Sequence, residues 1–208
     1  MNSRIVCHNC QNAQNLCLCE LLRPFHTQTH WTFLAHPREN RRKTRTGVWA
    51  HRFLQNSRYK VAAEFLEDKS SERKQFLLFP GEDAVSTRDF SANAAQKSNM
   101  DIVVIEGTWS QANKILNESD DLQRLPRITL DKKYRSNFKI RKQPREECLS
   151  SIEAVAYALK ELGDIRSADQ KAMLSLFETM VQRQIDSQNQ WNPNHFQKWV
   201  GEGLDSRV

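Results

Sequence analysis

Apolar residues fall along this chain in two kinds of pattern. Trp31-Thr-Phe-Leu-Ala, Gln75-Phe-Leu-Leu-Phe, Asp101-Ile-Val-Val-Ile and Arg127-Ile-Thr-Leu are four short apolar runs, two of them close to continuous. Runs this short and this apolar predict strands covered on both faces, the condition of a parallel sheet. Between them, helical spacing predicts helices over residues 46–57, 84–95 and 110–118. Ile152, Val155, Ala156, Leu159 and Leu162 then recur at helical intervals, with Ser151 as N-cap candidate and Gly163 as the stop. Met173, Leu176, Phe177, Met180, Val181 and Ile185 form a second long stripe, whose two methionines read as core filler rather than ligands. Strand and helix patterns alternate, so the expected class is α/β, a mostly parallel sheet flanked by helices with a helical C-terminal part.

The chain has 208 residues, 38% hydrophobic and 27% charged, with a mean hydropathy of -0.72. That bounds it to one domain of ordinary size, with or without a small appendage. No apolar run approaches the roughly 20 residues of a membrane span, and the N-terminus lacks the apolar core of a secretion signal. The expectation is a cytoplasmic protein with no membrane partner. Charge is unevenly spread: residues 36–60 hold eight basic side chains and one acid, and residues 127–147 hold eight and three. The whole chain is only +6, so everything outside these segments is net acidic. Positive charge confined to two segments suits a polyanion held on one face, and RNA or DNA is favoured over membrane because neither segment carries bulky apolar anchors. Two solvated loops are the plainer alternative.

Cys7-x-x-Cys10 and Cys17-x-Cys19 have chelating spacing and predict a structural Zn2+ site in a segment spanning residues 1–28, a knob outside the main core, with residues 29–208 as the main domain. A redox pair or two disulfides are the alternatives, with His8 and His26 as reserve ligands; Cys148 reads as a small buried residue. Ligands of parallel sheets bind beyond the strands' carboxyl ends, which directs attention to Phe79-Pro-Gly-Glu-Asp, Glu106-Gly-Thr-Trp-Ser and the stretch from Arg141 to Ser151. None matches a dinucleotide fingerprint or a P-loop.

Taken in order, the cysteine pairs, His36-Pro-x-Glu39, Thr46-Gly47, Leu77-Leu-Phe-Pro80, Glu106-Gly-Thr-Trp109-Ser-Gln-Ala and Arg141-Lys-Gln-Pro-Arg-Glu-Glu-Cys-Leu-Ser-Ser-Ile-Glu-Ala154 resemble the DTW-domain proteins, tRNA-uridine aminocarboxypropyltransferases related to the SPOUT superfamily. The resemblance implies a SPOUT-like α/β fold with a C-terminal knot. It also implies transfer of the 3-amino-3-carboxypropyl group of S-adenosylmethionine to N3 of a tRNA uridine. One position departs: the family's Asp-x-Thr-Trp is Glu106-Gly107-Thr108-Trp109 here.

The chemistry asks for a group that takes the proton of an imide nitrogen, and Glu106 is the candidate, with Thr108 and Trp109 beside it. Local alternatives are Thr108 as helix cap and Trp109 as core. The cofactor site implied comprises Phe79, Pro80, Gly81, Glu82, Glu106, Gly107, Thr108, Trp109, Gln111, Leu149, Ser150 and Ser151. Arg38, Arg41, Arg42, Lys43, Arg45, Arg141 and Lys142 are the candidates for tRNA contact, with Arg141 also suited to a cofactor carboxylate. A SPOUT-type RNA methyltransferase and a catalytically silent zinc-containing RNA-binding protein are the alternative functions. Monomer and homodimer are equally compatible with the sequence.

Overall fold

A computed structural model describes residues 5–39, 44–66, 72–90, 94–141 and 148–191. Its centre is one sheet of six strands, β1 (His30–Ala35), β2 (Ser57–Val61), β3 (Lys74–Leu78), β4 (Val85–Ser86), β5 (Met100–Glu106) and β6 (Arg127–Thr129). The strands are all parallel, in the order β2-β1-β5-β3-β6-β4. Helices are α1 (Thr46–Phe53), α2 (Ala94–Ser98), α3 (Trp109–Asn117), α4 (Asp120–Arg124), α5 (Ser151–Glu161) and α6 (Ser167–Trp191). The expected parallel α/β class is what the chain forms.

The sheet has two different faces. Every residue of β5 is buried, which explains its unbroken apolar run. Trp31, Phe33, Phe76, Ile102 and Val104 share one cluster with Trp49, Ala50 and Phe53 of α1, with the apolar side of α5, and with Met173, Phe177 and Met180 of α6. Leu34, Leu77, Val103 and Ile105 point the other way, onto Ala112, Ile115 and Leu116 of α3 and Leu122 of α4. A buried carboxylate ties the strands together on this second face. Asp101 accepts from Thr32 Oγ1 at 2.9 Å, Arg58 Nη2 at 2.6 Å and Gln75 Nε2 at 3.1 Å, joining β1, β2 and β3 to β5 in one register.

Three expectations are corrected. The helix expected to reach residue 57 stops at Phe53, because Ser57 Oγ donates to the carbonyls of His51 and Leu54, at 3.0 and 2.7 Å, and opens β2 instead. Of the helix expected over residues 84–95, the described residues instead hold the short β4, turns up to Phe90 and, from Ala94, the start of α2. Val85 pairs with Ile128 of β6, Thr87 bonds the Thr129 carbonyl and the Glu161 carboxylate, and Ser86 Oγ takes the Arg88 N–H. These side chains compete with helical hydrogen bonding. The cap of α5 is Ser150, whose N–H and hydroxyl both donate to Glu153, at 2.9 and 2.7 Å; Ser151 is the first helical residue. Gly163 does end that stretch, with φ +62°.

The cysteine segment does not lie outside the core. Cys10 and Leu18 belong to the cluster on the α1/α5/α6 face. Arg183 of α6 donates to the Cys17 carbonyl and meets Glu20 at 2.6 Å, while Arg52 of α1 donates to the Asn9 carbonyl at 2.8 Å. Among the described residues, no helix is long and apolar enough to cross a membrane.

Candidate active site and metal centre

Glu106 is the last residue of the central strand and is 3% exposed. In register it lies two positions beyond Val104, so its side chain issues onto the α1/α5 face. There it meets the N-termini of both helices. A Cβ built on Gly47, the second residue of α1, would lie 2.3 Å from Glu106 Oε2 and 2.7 Å from Cδ. Only glycine leaves room for this carboxyl. The Ser151 hydroxyl and the Gly47 N–H bear on it, yet Oε2 has no well-formed hydrogen bond. Burial holds the Glu106 carboxyl above its ordinary value of 4.5; the Ser151 and Gly47 donors oppose that, Glu39 adds to it, and Arg141 opposes it. The group therefore holds its proton more tightly than an exposed carboxyl does.

The rest of the Glu-Gly-Thr-Trp signature turns to the opposite face. Gly107 is tightly placed against α3, since a Cβ there would stand 3.1 Å from that of Gln111, and its carbonyl is 3.4 Å from Arg141 Nη2. Thr108 caps α3: its hydroxyl accepts from Gln111 N at 3.2 Å, and Gln111 Oε1 accepts from Thr108 N at 2.7 Å. The cap role is thus filled, and Thr108 and Gln111 satisfy one another. Trp109 is half-buried rather than core, its ring 5.5 Å from that of Phe79. Phe79 packs on the α3 side with Leu77. One signature therefore serves two faces of one strand end, a buried carboxyl on one and an aromatic pair on the other.

Pro80, Gly81 and Glu82 follow as exposed turn residues, with Gly81 against Arg127. Leu149 is half-buried, and the buried Ser150 is committed to its cap. Arg38 is exposed, and its N–H donates to His36 Nδ1 at 3.1 Å. Arg45 is half-buried at the N-cap of α1. Arg41, Arg42, Lys43 and Lys142 lie outside the described residues.

Sequence reasoning gave no role to three residues that the structure places around Glu106 or the start of α5. Glu39 is 2% exposed and its charge is felt at Glu106; the available signal was that it is the only acid in a segment of eight cations. Tyr59 carries no such signal, and burial, then Glu106, pushes its hydroxyl well above 10. Glu153 accepts from Ser136 Oγ at 2.7 Å and Asn137 N at 2.8 Å as well as from Ser150, which anchors the stretch after β6 to the start of α5.

The four cysteine sulfurs lie within 4.8 Å of one another, with Cys7–Cys19 at 4.0 Å and Cys10–Cys17 at 3.8 Å. Sulfurs bound tetrahedrally at about 2.3 Å from zinc stand about 3.8 Å apart, so the donor set fits. The four thiols are electrostatically unequal. N–H groups of Cys10 and Asn9 draw the Cys7 thiol down to about 6, whereas burial and the neighbouring Cys10 and Cys17 push Cys19 up to about 12. His8 and His26 are exposed and stand outside the group, and Cys148 is buried elsewhere.

The fold and site define an α/β protein with a parallel sheet, a buried acid at the central strand's end and a four-cysteine cluster. A sequence model of the DTW domain matches residues 4–185, and the chain belongs to that family. Among curated proteins it is 31% identical over 167 residues to tRNA-uridine aminocarboxypropyltransferase 2 of Macaca fascicularis, covering 75% of this chain and 56% of that one. It is 28% identical over 198 residues to the Drosophila melanogaster protein of the same name, covering 89% and 77%, and 26% identical over 214 residues to tRNA-uridine aminocarboxypropyltransferase A of Arabidopsis thaliana, covering 87% and 81%. The chain thus spans little more than half the length of the mammalian relatives it matches. No solved structure matches.

The contact between Gly47 and Glu106 gives a direct test. Alanine is otherwise the better helix former, by about 1 kcal/mol, so a loss on Gly47→Ala measures the clash. That variant should lose about 2 kcal/mol in denaturant unfolding, and adding Glu106→Asp, one methylene shorter, should restore at least half. Equal stability of Gly47→Ala and the parent would mean that the carboxyl does not occupy this gap.

Proposed function

We propose that this protein transfers the 3-amino-3-carboxypropyl group of S-adenosylmethionine to N3 of a uridine in tRNA. Family membership and the names of its relatives support the reading, and the buried Glu106 carboxyl at the end of the central strand carries it. When bound, S-adenosylmethionine supplies a methylene activated by the adjacent sulfonium: the N3–C bond forms, the C–S bond breaks with its electron pair going to sulfur, and methylthioadenosine leaves neutral. The protein need not protonate the leaving group. Its task is the N3 proton, and Glu106 takes that proton, helped by the environment that holds its affinity above that of an ordinary carboxylate. The unfilled Oε2 fits a site built for a ligand group rather than for a protein donor. Arg141, beside the Gly107 carbonyl, would hold the donor's carboxylate, and Phe79 with Trp109 would cover its flat ring system. Thr108, through its cap, fixes where Trp109 starts; Pro80, Gly81, Glu82, Leu149, Ser150 and Ser151 would line the remaining edge.

The wider reading includes a SPOUT-like fold with a C-terminal knot, supported by the all-parallel sheet and by the packing of α5 against α1 and α6. Arg38, Arg41, Arg42, Lys43, Arg45, Arg141 and Lys142 would contact tRNA phosphates. Residues 1–28 would serve the 29–208 domain as a structural zinc segment in a reducing, cytoplasmic compartment, supported by a tetrahedral-sized thiol cluster.

With unmodified tRNA, donor labelled in the aminobutyrate chain should label the RNA and donor labelled in the methyl group should not; the reverse would make the protein a methyltransferase. Assayed at saturating donor, Glu106→Gln should lose transfer by about a hundredfold or more, and full activity would remove Glu106 from the mechanism. Purified protein should contain about one zinc per chain, and chelation should lower its Tm. Metal below about a tenth of that amount, in protein never exposed to chelator, would end the zinc assignment.

A further inference from the structure

The α1/α5 face of the sheet ends in an unusual set of oxygen atoms. Tyr59 of β2 lies in register with Phe33 of β1, which lies in register with Val104 of β5, so Tyr59 and Glu106 issue from the same face two strands apart. The Tyr59 ring is fixed, stacked 6.4 Å from Phe33 and 5.7 Å from the His51 ring. Its hydroxyl is buried without a hydrogen-bond partner, and so is Glu106 Oε2 on a side chain 3% exposed. Two unsatisfied oxygens in one buried region cost stability unless something outside the protein fills them. The Glu39 carboxyl, 2% exposed, bears on both, while Arg45 acts on Tyr59 and Arg141 on Glu106 from the cationic side.

We propose that Tyr59 Oη, Glu106 Oε2 and the Glu39 carboxyl form a recognition site for a primary ammonium group. On the function proposed above, that group is the α-ammonium of the aminocarboxypropyl chain. The match is one of valence and charge: an ammonium offers three N–H donors and one positive charge, and these side chains offer three acceptor groups, two of them acids. A divalent cation is less suited, since among the described residues only the four cysteines make a metal-sized group of donors. The placement also links binding to chemistry. An ammonium against Oε2 favours the ionised form of Glu106, so the donor itself readies the carboxylate that must take the N3 proton. Tyr59 and Glu39 bind the ammonium in this account, and Glu106 alone touches the reacting proton.

Calorimetric binding of S-adenosylhomocysteine and of its counterpart lacking the α-amino group tests this without turnover. The parent should bind the amine-bearing ligand at least about tenfold more tightly, the scale of a charge-assisted hydrogen bond. Tyr59→Phe keeps the ring stack and should cut that preference several-fold while leaving affinity for the desamino ligand and Tm unchanged or higher. Glu39→Gln should cut the preference too. Equal binding of both ligands by the parent would overturn the ammonium site and leave the donor assignment standing. An unchanged preference in Tyr59→Phe would mean that its hydroxyl holds water only, and overturn the site as drawn. Binding of neither ligand by the parent would overturn the donor assignment, and this site with it.

Discussion

Everything at the working end of this molecule depends on placing one carboxyl group inside it. Glu106 ends the most buried strand, and its side chain has nowhere to go except between the first turns of α1 and α5. Burial penalises its charge, and two helix N-termini with their Gly47 and Ser151 donors offset the penalty only in part. The balance has a cost in stability. A buried acid that holds its proton more tightly when folded favours the native state at low pH, and that contribution is lost as pH rises from about 4.5 through its folded value. A buried acid whose proton affinity is raised by its surroundings is a poor structural device and a sensible chemical one.

Around that group the sheet separates tasks by face. The α1/α5/α6 side holds the large aromatic core, receives the cysteine segment and presents the acid with its Glu39 and Tyr59 neighbours. The α3 side presents Phe79 and Trp109. A single four-residue signature spans both because Glu106 is still strand while Trp109 already opens a helix, and the Thr108–Gln111 box fixes the turn between them. The Arg141 guanidinium, at the Gly107 carbonyl, sits over the junction.

Much of this was legible in the residues. Continuous apolar runs announced the buried strands, and the α5 and α6 stripes announced helices, because burial there dictates composition. The cysteines announced their cluster by spacing alone. What the sequence hid were features set by side-chain competition and by pairing at a distance. Ser57 ends α1 by seizing two carbonyls, and β2 and β4 are edge strands of mixed polarity with no period to betray them. Glu39 and Tyr59 approach Glu106 only because β1 and β2 lie beside β5, a fact of topology that no local window contains. The Asp-to-Glu departure was visible, but its accommodation by Gly47 was not, since the two residues are far apart in the chain and meet only across a helix–strand contact.

The central claim is that burial holds the Glu106 carboxyl above its ordinary value in the ligand-free protein. Carbon-13 NMR titration of protein labelled at the glutamate side-chain carboxyl, with Glu106 assigned from the Glu106→Gln spectrum, measures this directly. The account predicts a Glu106 signal that titrates clearly above the other glutamates and above 4.5. A Glu106 signal that titrates at or below 4.5 would contradict it.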